Sequence, residues 1–301
     1  MKQSWCMTRA DERRKSEKDK LLIIHADDLG MAHSINCATF EAFRAGAISS
    51  ASVMVACPWF PEVIRFAAQH PEFDLGVHLT LTSEWPGYKW RPLLGQELPA
   101  LLDPSGFFPT SENLDRVPPP RVASELRAQI RSAMASGMNP THVDTHMFAL
   151  FSRPETIAIY IAAAREFGLP FHIPTSVADN PGVRHLLQGN DIAVNTFIAS
   201  ADFSPADWKD HYLEFLRRMK RGLNQLIVHL GYDDGELRAV TAGNEAWGSA
   251  WRQRDFDVVM SPEFRSAREE LGIQTVDWGQ LSVISPGGDT REDENSARPQ
   301  S

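Results

Sequence analysis

Leu21-Leu22-Ile23-Ile24-His25-Ala26-Asp27-Asp28-Leu29-Gly30 is the stretch whose reading decides the fold. Leu21 to Ile24 form a continuous apolar run, the pattern of a parallel strand covered on both faces. The run ends in two adjacent carboxylates, Asp27 and Asp28. A carboxylate entering an apolar core is costly unless a cation meets it, and repulsion between neighbours adds to the cost. A metal ion resolves both problems. The plainer reading is a pair of turn or N-cap aspartates ahead of a helix opened by Ser34.

The alternation of apolar runs and capped helical segments continues outward from this stretch. Ser34 can open a helix carrying Ile35, Ala38, Ala42 and Phe43 and closed by Gly46. A strand over 48–57, a helix over 61–70 and a strand over 75–81 follow. Residues 83–120 break the rhythm and read as a long loop, rich in aromatic residues and proline. Beyond it, Val122, Leu126, Ile130 and Met134 make a helical stripe, 142–147 reads as a strand, and Pro154 opens a helix running to Gly168. Further strands are expected at 169–173, 192–198, 226–229 and 274–276, with helices after Ser204-Pro205 and over 262–271.

Seven or eight strand–helix units imply parallel strands joined by right-handed crossovers. No G-x-G-x-x-G or P-loop pattern follows a strand, so the nucleotide-binding open sheets lack support. The polar residues fall late in strands, where a barrel would gather them at one mouth. The expected fold class is α/β, a TIM-like (β/α) barrel with seven or eight parallel strands. It would occupy residues 20–284 as a single domain.

The composition of the 301 residues, 43% hydrophobic and 23% charged, is that of an ordinary soluble globular protein. A net charge of -9 argues against nucleic acid as a partner. The three cysteines, Cys6, Cys37 and Cys57, sit at no metal-ligand spacing and suggest reduced thiols and a cytoplasmic location. Residues 1–19 are dense in charge without an apolar segment and read as a flexible extension, neither secretion signal nor anchor. Residues 285–301 read as a disordered tail. No run long enough to span a membrane occurs, so no membrane partner is expected.

The histidines carry the chemistry. His78 lies in Gly-Val-His-Leu-Thr-Leu-Thr (76–82), where an apolar strand should hold Val or Leu; alone it reads as a satisfied core histidine. His142, Asp144 and His146 share one face of a strand, since strand side chains alternate with period two. An acid between two histidines is a ligand-and-orienter set; the plain alternative is a solvated polar edge. His229, in Leu-Ile-Val-His-Leu-Gly-Tyr, ends a buried-looking strand and reads alone as a structural histidine.

Together, Ala-Asp-Asp-Leu-Gly (26–30), Gly-Val-His-Leu-Thr-Leu-Thr (76–82), Thr-His-Val-Asp-Thr-His (141–146) and Val-His-Leu-Gly-Tyr (228–232) resemble the YdjC-like family of carbohydrate deacetylases. The resemblance runs from about residue 20 to 283 in the family's order, with a Gly-Phe-Phe element at 106–108. It implies a distorted (β/α) barrel and one divalent metal held by Asp28, His78 and His146, with Asp27 as catalytic base. Two positions depart from the family pattern: Phe148 and Leu150 stand where histidines are common, and Leu230 replaces a proline after His229.

A two-histidine, one-carboxylate site leaves coordination positions open and suits a catalytic ion, zinc or magnesium among others. The expected reaction is removal of an N-acetyl group from a carbohydrate such as a chitooligosaccharide, Asp27 acting as general base and His229 as general acid. The expected partner is an acylated saccharide, and a homodimer is compatible with the sequence. Trp85, Tyr88, Trp90, Phe107 and Phe108 are expected either to face sugar rings or to pack the 83–120 loop onto the barrel. The rival functions are a divalent-metal sugar isomerase and a carbohydrate-binding or regulatory protein with a degenerate site.

Overall fold

The central strand of the sheet is β1, Lys20–Leu29, the stretch that ends in the paired carboxylates. The computed structural model describes residues 19–110, 117–189, 191–244 and 246–284. All of the expected tail 285–301, and all of the expected extension 1–19 except Asp19, lie outside them. In chain order β1 is followed by α1 (His33–Arg44), β2 (Ser50–Val53), α2 (Phe60–Gln69), β3 (Leu75–Leu79), α3 (Pro119–Ala135), β4 (Val143–Thr145) and α4 (Pro154–Glu166). Two single turns come next, α5 (Thr175–Ala178) and α6 (Pro181–Arg184), then β5 (Asn195–Ile198), α7 (Trp208–Arg218), β6 (Gly222–Val228) and α8 (Gly235–Val240). The chain closes with α9 (Ser249–Met260), α10 (Pro262–Glu270), β7 (Gln274–Thr275) and α11 (Trp278–Ile284).

The seven strands are all parallel, in the order β4-β3-β2-β1-β6-β5, and β7 adds to the first residues of β1. The expected strand over 169–173 forms no ladder. Pro170 within it and Pro174 just after it have no N–H to donate, so the segment is held only by isolated bridges, Val143 to Phe171 and Pro174 to Val194. The sheet is thus a seven-stranded parallel α/β array whose β4 and β5 edges meet through single bridges. A complete eight-stranded barrel ladder is not formed among the described residues.

Alternation along β1 sets the layers. Leu22, Ile24 and Ala26 enter the main apolar core, whereas Ile23 packs with Val194, Trp278 and Leu281 in a small separate cluster. His25 and Asp27 fall on the same face as Ile23. The inner face of the sheet is therefore largely polar, and stability rests on the outer strand–helix layer. Each fully buried aliphatic or aromatic side chain contributes roughly 1.5–3 kcal/mol there.

Two local expectations are corrected. Ser34 does not cap α1: Ala32 is the N-cap, and the first backbone N–H groups donate instead to the Glu236 carboxylate of α8. The Ser34 hydroxyl is within hydrogen-bond distance of Asp234 and Glu236, at 2.7 and 2.8 Å. The second departure is α9, absent from the sequence reading. Its Trp251, Arg252, Asp255, Phe256, Val258 and Val259 are all buried, so no single apolar stripe announces the helix.

Gly76 is required by its neighbour across the inner face. A Cβ there would lie 2.4 Å from Cε1 of His142, whose ring stacks on Trp278 at 5.3 Å and cannot retreat. Gly76→Ala should cost about 1–3 kcal/mol of unfolding free energy, read from the shift of the urea midpoint at constant slope. An unchanged midpoint would show that the His142 ring moves freely.

Candidate active site

The site lies at the C-terminal ends of β1, β3, β4 and β6, which supply Asp27 and Asp28, His78, His146 and His229 in turn. Neighbouring strand residues point to opposite faces, so Asp27 and Asp28 would diverge on a regular strand. Asp28 instead adopts a left-handed backbone conformation with φ 69°, and the β1–β2 register shifts between Ala26 and Leu29. That irregularity turns both carboxylates toward the mouth. Two further left-handed residues, Met147 and Phe148, bend the chain just after His146.

Asp28, His78 and His146 present one ligand atom each within 4.8 Å of one another. Asp28 Oδ1 is 3.4 Å from His78 Nε2 and 3.2 Å from His146 Nδ1. Asp28 Oδ1 and His78 Nε2 are buried without a hydrogen-bond partner among the described residues. Buried polar atoms are normally paired, so two orphans facing each other fit a shared cation. The other donors of the trio are already tied down: His78 Nδ1 lies 2.8 Å from Asp144 Oδ1, and His146 Nε2 lies 3.0 Å from Glu84 Oε2. Each ring thus keeps one nitrogen for the cluster and gives the other to a carboxylate, the arrangement that orients ligating histidines. The group is able to hold a metal ion.

Charges converge on this point. Burial pushes the Asp28 carboxyl up, but the Arg252 guanidinium, 2.7 Å from Oδ2, and the two histidines hold it well below the usual range. Burial lowers His146, yet Glu84 and Asp28 outweigh it and raise the ring to about 9. His78 is raised in the same way by Asp144 and Asp27, against its burial. In the metal-free protein these carboxylates thus favour the protonated form of both rings. His229 behaves oppositely: burial dominates and takes it down to about 4, so it is neutral. Its Nε2 lies 3.8 Å from Asp27 Oδ2, and Trp247 packs against its ring at 4.9 Å.

A cavity of about 530 Å³ opens over these groups, with Met147, Phe148, Ile198 and Trp247 on its apolar side. All five site residues read from the sequence therefore meet. Asp144 serves as an orienter, and His142 sits deeper, fully buried against Trp278. Three polar participants were missed. Arg252 comes from α9, whose pattern hid it; Glu84 lies in the loop, where nothing in the local sequence marks it. His25 stood in the opening stretch, and its period-two spacing from Asp27 was the available signal.

The aromatic residues of the loop divide in favour of packing. Trp85, Trp90 and Phe108 are buried, and Trp90 donates its indole N–H to Thr82 O while its ring lies 5.9 Å from His146. Tyr88 is tied to Met31 O, and Phe107 sits under Arg91.

A parallel α/β fold carrying a carboxylate–histidine cluster at its strand ends, able to hold a cation beneath an open cavity, defines the class of protein. The sequence profile of the family described as YdjC-like protein matches residues 21–270, and the chain belongs to that family. A carbohydrate deacetylase of Brevibacillus brevis is 30% identical over 86% of this chain and 99% of its own length. One from Thermus thermophilus is 33% identical over 84% of this chain and 90% of its own. A crystal structure from Enterococcus faecalis V583, named for a suggested cellobiose-phosphate cleavage, superposes with a TM-score of 0.75 at 25% identity. That alignment covers 87% of this chain and 99% of the other. Among the described residues, no helix is long and apolar enough to cross a membrane.

The Arg252–Asp28 pair is buried on both sides, at 1% and 2% side-chain exposure, so removing one member leaves a charge stranded. Arg252→Ala should destabilise the protein by about 3 kcal/mol at neutral pH. Because Asp28 is depressed in the folded state, that contribution is present above the ordinary Asp value of 3.8 and disappears as the pH falls through the lower folded value. Denaturation of both proteins at neutral and strongly acidic pH checks the sign: their stabilities should converge in acid.

Proposed function

We propose that this protein is a carbohydrate deacetylase that uses a divalent ion held by Asp28, His78 and His146 to hydrolyse an N-acetyl group of a saccharide. The observation that carries the metal is the pair of orphaned buried atoms, Asp28 Oδ1 and His78 Nε2, facing His146 Nδ1. The carbohydrate deacetylases among the relatives support the reaction, with a chitooligosaccharide as the concrete substrate. The bridges at Phe171 and Pro174 support reading the sheet as a distorted (β/α) barrel whose wall is thin between β4 and β5.

When bound, a divalent ion supplies Lewis acidity, polarising the acyl carbonyl and making a water nucleophilic. Magnesium and zinc both suit the mixed nitrogen and oxygen donors. Asp27, beside the cluster and not needed as a ligand, takes the proton from the attacking water. Oxygen joins the carbonyl carbon, the carbon–nitrogen bond breaks, and the amine leaves with a proton. His229, neutral at rest, has its Nε2 3.8 Å from Asp27 Oδ2 and can relay that proton to the amine. The proton count closes, giving a free amino sugar and acetate. Arg252 keeps Asp28 ionised and directed at the two histidines. The cavity of about 530 Å³ has room for more than one sugar ring.

Removing any of the three donors should abolish tight binding. Asp28→Ala, His78→Ala and His146→Ala should each weaken metal affinity by at least about 10–100-fold in calorimetric titration, with activity lost to a chelator and restored by a divalent ion. Because His146 is raised to about 9 in the metal-free protein, an incoming ion must displace its proton. Affinity should therefore fall as pH drops below about 9, with protons released on binding. Tight stoichiometric binding by the His146→Ala protein would remove it from the ligand set.

Acetate release from an N-acetylated saccharide series tests the acid–base roles. Asp27→Asn and His229→Ala should each lower kcat by about 10²-fold or more while the metal stays bound. With His229 already neutral above about 4, the His229→Ala deficit should be uniform across neutral pH. A deficit confined to one side of pH 6.5, the ordinary histidine value, would mean that His229 starts the cycle protonated.

A further inference from the structure

We propose that His25 is a positioning residue for Asp27, a fully buried cation that fixes which carboxylate oxygen of the base faces the reacting water. The proposal rests on Asp27 being the base. His25 lies two residues before Asp27 on β1, so the two share the inner face, and it has no exposure at all. Its Nδ1 is 2.9 Å from Ser50 Oγ, whose own hydroxyl donates to Asp74 Oδ1. Ser50 can therefore only accept from the ring, and Nδ1 carries a hydrogen. Around Nε2 stand Asp144 Oδ2 at 2.9 Å, Ser52 Oγ at 3.1 Å and Asp27 Oδ1 at 3.3 Å. The Ser52 hydroxyl is itself directed to Asp144, so all three atoms are acceptors and Nε2 also carries a hydrogen.

A ring whose two nitrogens both donate is an imidazolium. The raised value of His25, about 9 despite the opposing effect of its burial, agrees with the hydrogen-bond count. The cation sits between Asp144, which orients His78, and Asp27. Its contact with Asp27 Oδ1 is an ion pair rather than a directed hydrogen bond, as Oδ1 finds no hydrogen-bond partner among the described residues. Held by Oδ1, Asp27 presents Oδ2 to the mouth, 3.9 Å from His78 Nε2 and 3.8 Å from His229 Nε2. Without the cation the carboxylate would be free to rotate between two buried orientations, one of them unproductive.

The charge state is tested without catalysis, by the nitrogen chemical shifts of the His25 ring in the metal-free protein at neutral pH. Two protonated ring nitrogens are expected, and a neutral ring overturns the proposal. In the metal-loaded enzyme, His25→Ala should lower kcat about 10–100-fold with KM and metal affinity each within about threefold of the parent. His25→Gln, which restores a donor near Nε2 without the charge, should recover part of kcat. Should His25→Ala fail to fold, Ser50→Ala removes the acceptor at Nδ1 together with the donor to Asp74 Oδ1, and should lower kcat about 5–10-fold with a moderate loss of thermal stability but a folded protein. An unchanged kcat in the folded variants overturns the positioning role. So does a loss of metal affinity parallel to kcat, which would mean that His25 acts on Asp144 and His78 instead. A parent enzyme that releases no acetate from any acylated saccharide refutes the deacetylase reading, and with it the catalytic role; the ring shifts then report only the charge.

Discussion

Two carboxylates side by side in sequence cannot face the same way from a regular strand, and the whole site depends on how this chain escapes that rule. The left-handed turn at Asp28, with the register shift that accompanies it, is the escape. A non-glycine residue in that region carries strain of about 1–3 kcal/mol, held in place by surrounding contacts. Here the contacts are specific. Arg252 grips Asp28 Oδ2, and its Nε donates to Trp247 O, another left-handed residue, whose ring rests on His229. One arginine thus ties the proposed metal ligand to the wall beside the proposed acid.

Behind the mouth, the inner face of the sheet is an electrostatic lattice rather than an apolar plug. Asp144 joins two rings through separate oxygens, His78 through Oδ1 and His25 through Oδ2, and burial of so many charges is tolerable only because each meets an opposite. Their strength comes from the low dielectric that would make any one of them ruinous alone. The apolar work is done elsewhere, in the strand–helix layer where Leu22, Ile24 and Ala26 are packed.

Much of this was legible in the sequence because position along a parallel strand carries meaning. Polar residues late in apolar runs marked Asp27, Asp28, His78, His146 and His229, and the fold brings all five to one mouth. The reading failed where the governing contacts were tertiary. Arg252 and Asp255 are charged residues on the buried face of a helix, where they interrupt the apolar stripe, and Ser34 is outbid at the α1 terminus by Glu236 from about 200 residues away. The parallel α/β array was legible, but its degree of closure was not, since periodicity cannot weigh the two prolines flanking 171–173. The rings of Trp85 and Trp90 could have served sugar or packing by composition alone; their burial decides for packing.

The place of β1 in the sheet has a consequence for how the molecule is made. It precedes every other strand among the described residues, yet it pairs with β6 more than 190 residues later and with β7 later still. Until those segments emerge, Leu21 to Ile24 lack their ladder partners, since β2 pairs with β1 only from His25 onward, and Asp28 waits for an arginine 224 positions downstream. Contacts of such sequence separation make folding slow. An exposed apolar strand edge in the meantime invites wrong pairing. The nascent chain therefore carries this apolar segment without its ladder partners through most of its synthesis, and a helper that shields β1 as it emerges would serve this protein more than one that acts after release.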